Sequence, residues 1–248
     1  DRGFAGALHV TASHNPPRDN GLKLFHDGSE YDRAAERRVE ASIDADTDPV
    51  EWDQWGTSSR QEVLGAYRNA VVDHVRETAG TSEGLDIAVD CGNGMASPVV
   101  PAVLGELGAR VVTVNGNVDG QFPGRASKPT AESLSDLRSF VADGDFDLGI
   151  GHDGDADRIV IIDGDGAVIH EDTVLAIIAE YHVAAADVAD PVVVTTPNAS
   201  GRIDERVEAA GGRTERVRLG ALHEGIAAVT DAGGTVAFAA EPWKHVHP

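Results

Sequence analysis

Lysine is nearly missing from this 248-residue chain, which has only Lys23, Lys128 and Lys244. The 20 basic residues face 42 acidic ones, a formal net charge of -22. Such a field repels nucleic-acid phosphates and anionic membranes, so neither is expected as a partner. Aromatic residues are also sparse, at 5%. Many carboxylates with few lysines and few large aromatics suit a protein kept in solution by concentrated salt, where screening removes self-repulsion; a halophilic source is expected. The single cysteine, Cys91, excludes an internal disulfide. It ends the apolar run 85–90, reads as a buried inert thiol, and fits a reducing, cytoplasmic setting. No apolar run approaches the roughly 20 residues with which a helix spans a bilayer. A starting methionine is missing too, and the last residues, 243–248, lack a closing element, so a fragment of a longer protein is expected.

What is present is an alternation of short apolar runs with helical patterns. Residues 6–10 and 22–25 read as strands around a polar loop from Thr11 to Asn20, and 32–43 and 67–78 read as helices around an acidic loop at 44–57. From Leu85 the rhythm is regular. A strand at 85–90 precedes a helix opened by Ser97 and Pro98 and running to about Leu107, then a strand at 110–114. A Gly/Pro loop at 115–129 leads to a helix from Thr130. Strands at 147–150 and 159–162 flank an acidic loop, and a helix at 172–184 closes that unit. A third unit repeats the theme with strands at 191–195, around Val217 and at 235–239, and helices at 200–210 and 221–230. The expected class is α/β: consecutive α/β sandwich domains with mixed, mostly parallel sheets, divided as 1–80, 81–187 and 188–248.

The acidic loop Asp153-Gly154-Asp155-Ala156-Asp157-Arg158 carries the strongest chemical signal. Carboxylates at alternate positions converge when the backbone curls around a cation, and such hard oxygens suit magnesium, calcium or manganese. A calcium EF-hand needs glycine at the sixth position and glutamate at the twelfth, where this chain has Arg158 and Gly164. An aspartyl-phosphate phosphatase with Asp153 as nucleophile would carry threonine or valine where Asp157 stands. A solvated acidic turn is the bland alternative. In the first loop, Ser13 stands at a strand end, where a nucleophile or phosphoryl carrier can be displayed, although Ser-x-Asn-Pro is also ordinary turn chemistry. His14 follows it directly; adjacent side chains seldom face each other, so a Ser–His hydrolase pair is not expected.

Together the two loops say more. The run Val10-Thr11-Ala12-Ser13-His14-Asn15-Pro16-Pro17, with Asn20-Gly21-Leu22-Lys23 after it, resembles the active-serine signature of the α-D-phosphohexomutase family. The 153–158 loop resembles that family's metal loop. Gly120-Gln121-Phe122-Pro123-Gly124-Arg125 with Pro129-Thr130 resembles its second-domain connection, and Gly220 and Glu241-Pro242…His245 fall at its sugar-contact segments.

The resemblance implies a mutase that moves a phosphoryl group between the 1- and 6-positions of a hexose or hexosamine phosphate through a bisphosphorylated sugar. It implies Ser13 as the phosphoryl carrier, and Mg2+ held by Ser13, Asp153, Asp155 and Asp157. Arg158 would fork onto phosphoryl oxygens, His14 would belong to the catalytic set, and Lys23, its pKa lowered by desolvation and by the ion, would be the general acid/base. Gly220, Glu241 and His245 would contact the sugar. Trp243 and Lys244 depart from the family's small residues there, which leaves glucose, mannose and glucosamine phosphates all open. The family's first-domain core and fourth, phosphate-clamping domain fall outside these residues. Alternatives are a metal-dependent phosphatase or phosphotransferase using Asp153, and a non-catalytic phosphosugar-binding remnant.

Overall fold

The structure, a computed structural model, describes residues 4–45, 48–242 and, as backbone alone, 244–247. Trp243 lies outside the described residues, as do the side chains of Lys244 and His245. Three sheets follow one another along the chain. The first is antiparallel, with β1 (Gly6–Val10), β2 (Leu22–His26) and β3 (Ser29–Glu30) in that order. Val10 pairs with Leu22, so the intervening loop with Ser13 is held closed at its base. Gly21 is required there, because a Cβ would stand 2.5 Å from the Thr11 carbonyl oxygen. Asp27 and Gly28 both take positive φ, the geometry that turns a two-residue hairpin tightly into β3. Helix α1 (Arg33–Asp44) starts where the Asp32 carboxylate accepts from the Ala35 N–H. A 3-10 turn at Trp52–Gln54 and helix α2 (Leu64–Thr78) complete this stretch.

The second sheet contains β4 (Asp86–Asp90), β5 (Arg110–Val114), β6 (Leu148–His152), β7 (Ile159–Asp163) and β8 (Val168–Ile169), in the order β5-β4-β6-β7-β8. Strand β4 runs parallel to β5 and β6, while β7 and β8 are antiparallel additions. Helices α3 (Val100–Glu106) and α4 (Ser135–Ala142) cover its two faces. Ala88 packs towards Leu134, Leu137 and Val141, whereas Ile87 and Val89 pack towards Val100 and Leu104. Burial on both faces is why the middle of β4, residues 87–89, is apolar without alternation.

The third sheet repeats the plan with β9 (Pro191–Thr195), β10 (Arg213–Arg216), β11 (Thr235–Glu241) and β12 (Lys244–His247) in the order β10-β9-β11-β12. Helices α5 (Glu171–Ala185) and α6 (Gly201–Ala209) cover one face and α7 (Leu222–Asp231) the other. Val192, Val193 and Val194 are fully buried, each contributing about 1.5–3 kcal/mol of apolar burial. The α/β class and the mostly parallel sheets are as the sequence implies.

Several details differ. Helix α3 opens at Val100, not at Ser97, because residues 91–97 are spent on turns that hold the acidic loop: Met95 N–H donates to the Gly154 carbonyl. The helix expected from Thr130 begins at Ser135, after a turn in which Thr130 and Ser133 exchange hydrogen bonds between backbone N–H and hydroxyl. Val217 follows β10 instead of centring it. Strands β3, β8 and β12 are too short for a period-2 pattern to register. Two helices pack against the unit that follows them in the chain. α2 buries Val72 against Val103 and Leu107 of the second unit, and α5 buries Leu175, Ala176, Ala179 and Val183 against the third sheet.

Candidate active site

The Ser13 loop and the acidic loop, about 140 residues apart in sequence, meet. Ser13 takes φ 52, a left-handed conformation that non-glycine residues rarely adopt, and two local bonds hold it there. Its N–H donates to Thr11 Oγ1 at 2.9 Å, and Asn15 N–H donates to the Ala12 carbonyl at 3.0 Å. The hydroxyl then reaches across, donating to Asp153 Oδ2 at 3.2 Å, and Thr11 Oγ1 donates to Asp155 Oδ2 at 2.7 Å. Gly154 makes this approach possible, since a Cβ there would stand 2.6 Å from the Ser13 carbonyl oxygen. Gly94 does the same from below, its missing Cβ lying 2.5 Å from the Gly154 carbonyl oxygen. A cavity of about 310 Å³ opens beside the junction, lined by Ser13, Asn15, Asn93, Phe122 and Asp155 among others.

Asp153, Asp155 and Asp157 each offer an oxygen within 4.8 Å of the others'. Asp153 is fully buried, and burial pushes its carboxyl up to about 7; the Arg158 N–H opposes this, while Asp157 and Asp155 reinforce it. Asp155 Oδ1 is buried with no hydrogen-bond partner. A buried orphan oxygen and a carboxyl held towards its protonated form are what three hard-oxygen ligands show before a divalent cation is supplied, and the set fits such an ion. Arg158 offers cationic compensation at close range, its Nε 3.9 Å from Asp157 Oδ1, and that Nε makes no hydrogen bond.

His14 is nearer to Ser13 than expected of a sequence neighbour. The positive φ at Ser13 brings the two side chains to one side, with Ser13 Oγ 3.2 Å from His14 Nδ1. Its other nitrogen, Nε2, stands 3.4 Å from Arg158 Nη1. Lys23 stands in a more open environment. Its side chain on β2 is half-exposed and pairs with Glu30 at 3.7 Å, so the desolvation expected of a proton-transfer lysine is not found there. Gly220 and Glu241 do come together: Gly220 takes φ 76 and its N–H donates to Glu241 Oε1 at 2.9 Å. A second cavity, of about 590 Å³, joins Arg158 to Lys128, Thr130, His170 and Pro242, the residue after Glu241.

Sequence reasoning missed the layer beneath. Arg125 and Asp90 form a buried ion pair at 2.9 Å, with side chains 5% and 2% exposed. Arg125 also donates to the His152 carbonyl at 2.6 Å. Burial, aided by the Arg125 charge, pulls His152 down to about 4, so its imidazole is neutral. Burial pushes the Cys91 thiol up to about 11, in keeping with an inert thiol. Arg125 stood in a quoted motif but carried no role; Ser127 and His152 gave no sequence signal.

Comparison with known proteins agrees with this geometry. The family description "Phosphoglucomutase/phosphomannomutase, alpha/beta/alpha domain I" matches residues 1–49, and that for domain II matches 66–166. The chain is 42% identical over 246 residues to a protein of Thermococcus kodakarensis named "Phosphopentomutase", covering 98% of this chain and 52% of the relative. It is 37% identical over 248 residues to a Methanopyrus kandleri protein named "Probable phosphoglucosamine mutase", covering 98% and 53%. A crystal structure of a phosphoglucomutase/phosphomannomutase family protein from Burkholderia thailandensis superimposes with a TM-score of 0.80 at 25% identity, over 97% of this chain and 50% of that one. The chain thus spans about half the length of the relatives it matches. Two matched domains of one family in sequence, relatives along the whole length and the convergence of serine and acidic loops lead to one conclusion: the chain belongs to the α-D-phosphohexomutase (phosphoglucomutase/phosphomannomutase) family.

Proposed function

We propose that this chain carries the phosphoryl-transfer half of a phosphohexomutase, with Ser13 as the group that is phosphorylated and dephosphorylated. The observation that supports the reading most is the 3.2 Å approach of Ser13 Oγ to Asp153 in a cluster of three carboxylates. Ser13, Asp153, Asp155 and Asp157 would hold Mg2+, which when bound supplies positive charge to the phosphoryl oxygens.

The chain's own residues do the rest. In the first transfer the bond between Ser13 Oγ and phosphorus breaks as a sugar hydroxyl oxygen bonds to phosphorus, giving a bisphosphorylated sugar. Arg158 orients the phosphoryl oxygens, and His14 Nδ1, 3.2 Å from Ser13 Oγ, is placed to give that oxygen a proton as phosphorus leaves and to take it back in the second transfer. Lys23 is the proposed carrier of the sugar hydroxyl's proton. Its pair with Glu30 is exposed on both sides, so releasing it costs about 1 kcal/mol or less. The intermediate then turns over and returns its other phosphate to Ser13. Gly220, Glu241 and His245 are the proposed sugar contacts.

The substrate is proposed to be a hexose or hexosamine phosphate; a pentose phosphate is the second reading, favoured by the name of the 42% identical relative. Packing of α2 and α5 supports unit boundaries near 63 and 170 in place of 80 and 187. A halophilic source and a cytoplasmic location belong to the same proposal, resting on the charge of -22 and on buried, unpaired Cys91.

The test is direct. The chain is incubated with Mg2+, a trace of sugar bisphosphate, and hexose, hexosamine or pentose 1-phosphate, and the isomeric phosphate is sought. Intact mass then counts any phosphate, and peptide fragmentation places it. A phosphate on Ser13 supports the reading; one on Asp153 with Ser13 unmodified replaces it with the phosphatase alternative.

A further inference from the structure

The turn between β5 and α4 reaches in two directions at once. Ser127, 5% exposed, approaches with its Oγ–H the carbonyl oxygens of His14 at 2.7 Å and Asn15 at 3.1 Å, both in the serine loop. Two residues earlier, Arg125 donates to the carbonyl of His152, the residue before Asp153, and to the Asp90 carboxylate. The segment is itself anchored, with Gly124 N–H donating to Asn93 Oδ1 at 3.1 Å. The Phe122 ring packs against Gly154, its Cζ 3.1 Å from where a Cβ would lie. Within six consecutive residues, Ser127 thus touches the serine loop while Phe122 and Arg125 touch the acidic loop and the residue before it.

The direct ties between the halves are of a different kind. Ser13 Oγ–H to Asp153 and Thr11 to Asp155 both end on carboxylates that bind a cation in the proposed reaction, and the 3.4 Å approach of Arg158 Nη1 to His14 Nε2 joins two side chains that the same reaction engages. A phosphate on Ser13 removes that Oγ–H donor altogether. These ties are therefore exchanged whenever the site is loaded. The bonds from Ser127 and Arg125 end on backbone carbonyls and on a carboxylate outside the cluster, and no step of the reaction alters them.

We propose that Phe122–Ser127 is the bracket that keeps the serine loop and the acidic loop in register as ligands come and go, with Ser127 and Arg125 as its two positioning residues. The proposal rests on the reading that both loops act as one site. Its test is hydrogen exchange measured by mass spectrometry on the full 248-residue chain carrying Ser127→Ala, Ser127→Thr or Arg125→Lys.

In Ser127→Ala the amides of residues 13–15 exchange at least tenfold faster while the third sheet is unchanged, and Ser127→Thr, which keeps the donor, exchanges like the parent. Arg125→Lys keeps a charge against Asp90 but loses the fork, and speeds exchange at 153–158 instead. Parent-like exchange in Ser127→Ala, or equal behaviour of Ala and Thr, overturns the bracket. A second readout is phosphate on Ser13 after exposure to a hexose 1,6-bisphosphate, expected to form at least tenfold more slowly in Ser127→Ala. If the parent takes no phosphate yet Ser127→Ala loosens the loop, the mutase reading falls and the bracket stands. If the parent is phosphorylated and Ser127→Ala exchanges as the parent does, the bracket falls alone.

Discussion

Supplying a divalent cation to the metal-free protein at different pH values tests the electrostatics of the acidic loop. Asp153 is held up to about 7 by burial and by its two neighbours, against an ordinary value of 3.8. Its folded value exceeds its unfolded one, so the stability it contributes is fully present below about pH 4 and is lost as pH rises through about 7. Roughly three units at about 1.4 kcal/mol each put the loss on the order of 4 kcal/mol by pH 8. His152 has the opposite sign. Its value lies at about 4, below 6.5, so acidification through that window costs stability. Asp153→Asn removes the first effect and leaves the second. In chelator at pH 8 this variant is expected to melt higher than the parent, and at pH 4 the difference vanishes. Titration calorimetry should show the parent binding Mg2+ or Mn2+ about tenfold more weakly per pH unit below 7, with close to one proton released at pH 6 and almost none above pH 8. Affinity that stays constant from pH 5.5 to 8.5, or a metal-free Asp153→Asn variant less stable than the parent at pH 8, would refute the reasoning.

Four further outcomes follow from other contacts. Gly154→Ala forces a Cβ to 2.6 Å from the Ser13 carbonyl and is expected to destabilise the fold by about 1–3 kcal/mol and weaken metal binding; urea denaturation and calorimetry check it. Asp90→Ala strands the buried Arg125 charge and should lose about 3–5 kcal/mol, whereas Glu36→Ala, which breaks an exposed pair with Arg33, should leave the urea midpoint close to the parent's. Lys23→Met should lower turnover about 100-fold or more while leaving Ser13 phosphate content and metal affinity at parental levels, a split that steady-state kinetics and intact mass resolve. With a net charge of -22, the thermal midpoint should rise steeply from millimolar to molar KCl, and a flat profile would remove the halophilic reading.

How far the sequence could be read depended on whether a residue's partners were local. The strands 86–90 and 191–195 announce themselves because burial on both faces leaves their middles, 87–89 and 192–194, apolar without alternation, and the acidic loop announces itself because its three carboxylates stand at alternate positions within five residues. Ser13 alone resembles any turn serine; only its pairing with a distant loop gave it meaning, and the 3.2 Å approach to Asp153 is a tertiary fact with no local signature. Lys23 shows the converse case. Lysine is scarce in the chain, which invites a functional reading, but the environment that would tune Lys23 is set by what packs over β2, and its ion-pair partner is the exposed Glu30. The same reasoning explains Ser97. A serine followed by proline is good helix-start chemistry, yet residues 91–97 are held by Gly154 and by the Asn115 carbonyl across the sheet top, so the helix waits until Val100. Ser127 was the least legible of all. Its hydroxyl contacts only backbone carbonyls, so nothing in the identity of its partners could co-announce it. Side chains that recognise backbone leave no compositional trace, and in this chain two of the groups that align the site, Ser127 and the Arg125 fork on His152, are of that kind.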